Sequence, residues 1–366
     1  MRNRIPIGKE LAPVSTAEAI DTRTPAGISG EAAESNRAHS QAGAGRLVAV
    51  VVTHNRLDKL KATLARLLES PVQELAVVVV VDNASSDGTA AWLAGQQDTR
   101  LDICTSETNR GGAGGFEMGM RRAVEAHAAD WLVVMDDDAR PASDALAQFH
   151  AMAMHGGEGE VWDAVAAAVY FPGGGICEMN RPSCNPFWDR KRLWATMRRG
   201  RDGFHIPHTA YAEDPCPVDV TSFVGFFISA AAVLRAGYPD PGLFIYGDDA
   251  IYTLEISRLG GRIGFVPQIR FEHDFTTFSS QDGGQRFRPL WKAYYHHRNL
   301  LLLYRLAAGW LFWPVLLVIL PKWILKARHH PGVRRAYLRL TGLAVLDGLR
   351  RRLGRSHAEV RRQAGD

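Results

Sequence analysis

Cysteine is scarce in this sequence and wrongly spaced for the tasks that cysteines perform in groups. The four present, Cys104, Cys177, Cys184 and Cys216, form no C-x-x-C pair and have no histidines at zinc-finger spacing. That excludes a zinc module and disfavours a disulfide framework, and it fits a reducing cytosol. The amino end lacks an apolar core followed by a cleavage site, so no secretory signal is expected. No repeat at solenoid periods appears. The glycine-rich run Gly111 to Gly115 matches no Walker pattern, which disfavours a P-loop ATPase or kinase. Charge of one sign is nearly absent as an excess: the net value is +4 over 366 residues. The basic residues gather near the carboxyl end but accompany no reader motif, so nucleic acid is not an expected partner. Uninterrupted apolar runs long enough to span a bilayer are also missing. The longest, Leu306 to Pro321, falls short of the roughly 20 residues a spanning helix needs and contains two prolines. Flanked by tryptophans and by Lys322, Lys326 and the later arginines, it reads as a segment lying in a membrane interface, with a buried core helix as the alternative.

What is abundant is apolar residue content, 46% of the chain, enough to bury a large core. Leu47 to Thr53 is a β-branched run followed by a polar turn and by Leu57, Leu60, Leu64 and Leu67 at helical spacing, so it predicts strand, turn, helix. The pattern repeats from Leu75 to Val81, from Leu101 to Thr105 and from Trp131 to Met135, with helices between. Strands alternating with helices predict an α/β fold around a right-handed, mostly parallel sheet of the Rossmann-like kind. Further strands are expected at Thr221 to Ser229 and Arg262 to Val266, and a helix at Ile251 to Leu259 behind two acids. The chain is expected to divide into a mobile tail (1–45), a domain (46–305) with a nucleotide-binding half (46–150) and a substrate-facing half (151–305), and a helical, membrane-associating region (306–366).

The strand ending at Met135 delivers Asp136, Asp137 and Asp138 to the edge of the sheet where ligands bind in open α/β folds. Three adjacent carboxylates cannot be buried unpaired, so they need water or a cation. Alternation along a strand aims Asp136 and Asp138 at one spot and Asp137 away from it. That arrangement suits a divalent metal holding a phosphate, against the plainer alternative of an acidic helix cap. Asp82 follows a second strand, as acids that accept from a ribose or base do. Asp248-Asp249 form a second acidic pair, where one could cap the following helix and leave the other free. His273, after the strand at Arg262 to Val266, could complete a metal shell, although a lone histidine is more often structural.

Thr53-His54-Asn55-Arg56, Asp82-Asn83, Asn109 to Phe116, Met135 to Asp138, Phe244 to Ala250 and Tyr294-Tyr295-His296-His297-Arg298-Asn299 occur in family order. Together they resemble the inverting GT-A glycosyltransferases of the family-2 type, and within it the galactofuranosyltransferases. The resemblance implies a UDP-sugar donor, with Mn²⁺ or Mg²⁺ held by Asp136, Asp138 and His273. It implies that Asp249, beside Asp248, is the general base. Thr53, Asn55, Arg56, Asp82, Asn83, Asn109, Gly112 and Asp137 would contact the nucleotide sugar, and Phe226, Phe227, Tyr295 and Arg298 the acceptor. Gly247 and Phe226-Phe227 stand where relatives carry bulkier or indole side chains. The implied acceptor is a lipid-linked or cell-surface glycan precursor met at the inner face of the cell membrane. A rhamnosyltransferase or another family-2 hexosyltransferase using a dTDP- or UDP-sugar is the alternative. A non-catalytic nucleotide- or glycan-binding protein would have little use for Asp249.

Overall fold

The computed structural model describes residues 45–154, 162–274 and 286–365. The expected tail lies, but for Gly45, outside these residues. The first half alternates as anticipated: β1 (Leu47–Thr53), α1 (Leu57–Leu68), β2 (Val77–Asp82), α2 (Thr89–Ala94), β3 (Leu101–Thr105), α3 (Gly111–His127) and β4 (Trp131–Asp136). Every residue of β1 and β2 is buried, as befits valine runs covered on both faces. On one face α1 contributes Leu60, Leu64 and Leu67, each stabilising the fold by about 1.5–3 kcal/mol through burial. On the other, α3 presents Phe116, Met120 and Ala123. Gly119 lets α3 lie directly on the strands, because a Cβ there would stand 2.4 Å from Val50 Cγ1.

The order of the nine-stranded sheet is β3-β2-β1-β4-β8-β6-β9-β5, with β7 paired to β9. The later strands are β5 (Ala139–Pro141), β6 (Ala164–Tyr170), β7 (Cys216–Val218), β8 (Phe226–Ser229) and β9 (Ile263–His273). Parallel pairing covers β3-β2-β1-β4 and β6-β9, while β8, β5 and β7 run antiparallel to their neighbours. The sheet is therefore mixed. Turns and loops rather than crossover helices lead directly into β5, β7 and β8, so nothing imposes the parallel direction on them. The reversal of strand order at β1 and β4 makes the crevice beyond their carboxyl ends the expected binding place.

Of helices α4 (Ala145–Met154), α5 (Arg190–Arg199), α6 (Ala230–Ala236) and α7 (Asp248–Arg258), all but α5 add residues to the core packed on this sheet, and α5 buries none of its own. Boundaries differ from expectation at β8, at α7 and at β9, the last running on to His273 beyond the expected end at Val266. The strand anticipated from Thr221 begins only at Phe226, since Gly225 takes a left-handed φ of +64°. The helix anticipated from Ile251 begins at Asp248, so both acids sit in its first turn, where they complement the helix dipole, and neither caps it.

The carboxyl-terminal helices are α8 (Lys292–Ala308), α9 (Phe312–Lys326), α10 (Arg334–Leu349) and α11 (His357–Ala364). A short 3₁₀ turn, Gly309–Leu311, joins α8 to α9, and the helical stretch Lys292–His329 is long and apolar enough by length and composition to cross a membrane. Pro314 is tolerated in the first turn of α9, where its missing N–H has no partner to lose. Phe312, Leu316 and Trp323 face inward, but Trp310 is 79% exposed, Leu317 76% and Trp313 61%.

Candidate active site

Strand β4 ends at Asp136 and the chain turns through Asp137 and Asp138 into β5, which pairs antiparallel with β9 so that Ala139 faces His273. This pairing brings a histidine far along the chain beside the triple aspartate. Ligand atoms of Asp136, Asp138 and His273 all lie within 4.8 Å of one another. His273 Nε2 is 3.2 Å from Asp138 Oδ1, and its Nδ1 lies 2.8 Å from Asn180 Oδ1. Asn180 donates its own amide to Ser222 Oγ, 2.8 Å away, so its oxygen is the acceptor for His273. A ring held through Nδ1 turns Nε2 toward the carboxylates, which is how proteins orient metal-binding histidines.

The electrostatics are those of too much buried negative charge. Burial, with the charge of Asp138, pushes Asp136 up to about 7. Burial raises Asp137 to about 6 against the pull of Arg56. Burial opposes the charged form of His273, but hydrogen bonds to Asp138 and Cys177 together with the charges of Asp138 and Asp136 outweigh it and hold the imidazole up at about 9. Two carboxylates and an imidazole converging in this way fit a divalent cation.

Asp137 does turn away from that spot: its Oδ2 accepts from Thr53 Oγ1 at 2.8 Å and its Oδ1 from Arg56 at 3.3 Å. The same guanidinium donates to Asp138 Oδ2 at 2.6 Å. Asn55 Oδ1 accepts from Ser86 N at 2.6 Å, which ties the turn after β1 to the turn after β2. Asp82 is buried; its Oδ1 accepts from Ser85 N at 3.0 Å, while Oδ2 has no partner among the described residues. A buried acceptor without a donor fits a ligand N–H or hydroxyl. Asn83 donates to Gly111 O at 2.8 Å and accepts from Arg110 N at 2.9 Å, and Asn109 Oδ1 accepts from Gly111 N at 2.8 Å. These amides position the glycine-rich turn.

Gly111 has φ +71°, and a Cβ on it would stand 2.1 Å from Phe244 O. Only glycine allows the loop before α7 to close on the start of α3, where Ala113 N donates to Phe244 O at 3.0 Å. A Cβ on Gly112 would lie 3.9 Å from Asp248 Oδ2, and Asp248 also feels the charge of Asp136, so this acid faces the same crevice as the first cluster, with Asp249 next to it in the chain. Burial, then the neighbouring Asp249, drives Asp248 well above the ordinary carboxylate range, with a smaller push from Asp136. Burial raises Asp249 to about 6.

Four residues expected at an acceptor are placed elsewhere. Phe226 and Phe227 are fully buried in β8, between β4 and β6, with Phe227 stacked on Phe149 at 4.3 Å. A central strand covered on both faces offers no aromatic platform to a sugar. Arg298 is fully buried and donates to Gly242 O and Leu243 O, each at 2.8 Å. Tyr295 is buried against Phe244, ring centroids 4.7 Å apart. Both hold the acid-bearing loop, whose Phe244 and Tyr246 take the unfavourable φ values +66° and +67°. Asn299, not singled out from the sequence, donates to Leu243 O, Ile245 O and Tyr246 O at 2.8–3.0 Å. The Arg-Asn motif was its signal, read as contact with acceptor when it is a brace.

Comparison with known proteins follows the same lines. Galactofuranosyltransferase GlfT1 of Mycobacterium tuberculosis is 29% identical over 245 residues, covering 66% of this chain and 72% of that protein. GlfT1 of Mycolicibacterium smegmatis is 28% identical over 242 residues, covering 66% and 73%. The crystal structure of GalNAc-T7 with UDP, GalNAc and Mn²⁺ superposes with a TM-score of 0.50 at 15% identity, a likeness of fold. It covers 71% of this chain, which spans only 47% of the GalNAc-T7 chain. The family described as Glycosyltransferase like family 2 matches residues 44–290, and the chain belongs to that family of glycosyltransferases.

Proposed function

We propose that the protein is an inverting, divalent-metal-dependent transferase that moves galactofuranose from UDP to a hydroxyl of a lipid-linked or cell-surface glycan precursor. The observation that carries this reading is the convergence of Asp136, Asp138 and His273 on one spot, beside a crevice shared with Asp248, the neighbour of Asp249. The GlfT1 relatives support the sugar, and Mn²⁺ in the GalNAc-T7 structure supports the class of ion. Asp136, Asp138 and His273 would hold Mn²⁺ or Mg²⁺, which when bound supplies positive charge against the departing diphosphate. Arg56, on the same acids, lends a further cation to that side of the crevice. Asp82 Oδ2 would accept from the nucleoside, while Asn83 and Asn109 keep the glycine-rich turn in shape. Asp249 would take the proton of the acceptor hydroxyl as it attacks the anomeric carbon from the face opposite UDP.

Metal-dependent turnover of a panel of nucleotide sugars tests this reading. UDP-galactofuranose should be consumed in the presence of acceptor lipid extract and spared when EDTA is added. Preference for dTDP-rhamnose or UDP-galactopyranose would replace the proposed donor.

The location belongs to the same proposal: the inner face of the cell membrane, at its surface. Support comes from the exposed apolar side of α9 and the preceding turn, followed by Lys322, Lys326 and Arg328. The four free thiols suit a reducing compartment. Replacing Trp310, Trp313 and Leu317 together with serine should lower flotation on anionic vesicles at least about tenfold, given about 1.5–3 kcal/mol for each fully buried large apolar side chain. Undiminished flotation would remove the interface role.

A further inference from the structure

Helix α5 adds nothing to the core, yet it carries large apolar side chains held out in water. None of its 10 residues is buried, Trp194 is 62% exposed and Met197 70%, and Trp188 just before the helix is exposed as well. Arg190, Trp194, Met197 and Arg198 stand at i, i+4, i+7 and i+8, so they share one face. The other side of the helix is occupied. A Cβ on Gly203 would stand 2.3 Å from Thr196 N, so the chain folds back tightly there and leaves the tryptophan face outward.

The charge on this stretch has one sign. Arg190, Lys191, Arg192, Arg198, Arg199 and Arg201 follow Asp189 with no acid before Asp202. Both flanking acids are engaged: Asp189 caps the helix by accepting from Lys191 N at 2.8 Å, and Asp202 pairs with Arg181 at 2.5 Å. Arg190, Lys191, Arg198 and Arg199 join no ion pair among the described residues. Tryptophan and methionine set among unneutralised cations complement a surface where phosphates overlie hydrocarbon. A polyanion alone would answer the charges but offers no apolar layer beneath them.

The helix also adjoins the exposed apolar side of α9. Asn185 is buried, and its side-chain amide donates to Ala307 O at 3.0 Å, near the end of α8. Trp188 lies three residues beyond Asn185 and Trp310 three beyond Ala307. At no more than about 3.6 Å per residue, each starts within about 11 Å of that bond. The two tryptophan-bearing stretches therefore leave the fold beside each other.

We infer that α5 is a second point of contact with an anionic lipid bilayer, lying in the headgroup layer with Trp188, Trp194 and Met197 toward the acyl chains and its cations on lipid phosphates. The inference rests on the membrane-surface reading and deepens it, adding a helix from the middle of the chain to the one near the carboxyl end. Two contacts fix the rotation of the protein on the surface, which one helix leaves free. Once either has formed the other becomes intramolecular, so attachment by both exceeds attachment by one.

Flotation of the full chain on vesicles of phosphatidylglycerol and phosphatidylcholine tests this, together with hydrogen exchange of the α5 amides. Trp194→Ser combined with Met197→Ser should lower the partition coefficient at least about tenfold, and Arg198→Glu combined with Arg199→Glu should do the same. These four side chains are exposed, so the variants should keep the melting temperature of the unmodified chain. The α5 amides should exchange more slowly on anionic vesicles than on phosphatidylcholine alone, and the protection should fade at high salt. Undiminished flotation of both variants, with α5 unprotected, would overturn the inference and leave the contact through α9 standing. Failure of the unmodified chain to float would instead remove the membrane reading itself. Protection by heparin equal to that by vesicles and indifferent to Trp194→Ser would make α5 a general polyanion site. A dimer in sedimentation that Trp194→Ser dissolves without lipid would give the face to a second copy. Either result overturns the bilayer as its occupant.

Discussion

Asp249→Asn is expected to cut sugar transfer by about 10²–10⁴-fold, the usual worth of general-base help, while metal-dependent UDP binding stays within about twofold. Asparagine keeps the shape of the side chain and loses only the ability to accept a proton. Asp249 suits the task better than its neighbour. Burial raises it to about 6, so it is ionised at neutral pH yet a stronger base than an exposed carboxylate. Asp248 is driven well above the ordinary range by burial and by Asp249, which favours its protonated form and unfits it for taking a proton. Turnover should accordingly rise with pH through about 6 and level off above it, because the base works only when deprotonated. The Asp249→Asn variant should lose that acid limb. A stability measurement guards against mere unfolding. A carboxyl whose folded value is raised to about 6 from 3.8 binds more protons folded than unfolded, so the fold loses stability as pH rises between those values. Removing the carboxyl should leave the melting temperature at pH 7.5 unchanged or higher. Near-normal turnover by Asp249→Asn, or the same loss in Asp248→Asn with no loss here, would move the role to another group.

The parts of this molecule that were legible in its sequence are those where one local pattern decides the structure. Valine runs such as Val77 to Val81 admit little but buried strands, and the leucine spacing after Thr53 admits little but a helix on them. The triple aspartate was legible because a strand alternates, which separates Asp137 from its neighbours. His273 was not legible by itself. Its place depends on β9 continuing past Val266 to pair with β5, a long-range event that no local window contains. The aromatic residues failed for a related reason. Phe226-Phe227 and Tyr295 carry the composition of a sugar platform and of a core alike, and what decides is long-range packing: β8 lies inside the sheet with Phe149 stacked on Phe227, and Phe244 stacks on Tyr295. Arg298 entered the acceptor set through the resemblance alone, whereas a loop with left-handed Phe244 and Tyr246 leaves carbonyls that need donors such as Arg298 and Asn299.

Asp138→Ala should have the other large effect: metal-dependent UDP binding lost by more than about 100-fold, beyond the roughly 10–100-fold that removal of an outer partner of a metal ligand costs. Asp138 stands between two cationic groups, with Oδ2 on Arg56 at 2.6 Å and Oδ1 at 3.2 Å from His273. Its removal deletes one of three converging groups and also frees the imidazole and guanidinium that it pairs with. Asp137→Asn makes a sharp contrast. Asp137 accepts from Thr53 and Arg56 but points away from the other three groups, so this change should weaken UDP binding far less. Calorimetry with UDP, run with Mn²⁺, with Mg²⁺ and with EDTA, measures both variants against the unmodified chain. If Asp138→Ala retained metal-dependent affinity while Asp137→Asn lost it, the alternation that aims Asp136 and Asp138 together would not be what holds the ion. The proposal for this corner of the sheet would then have to be rebuilt around Asp137 and Arg56.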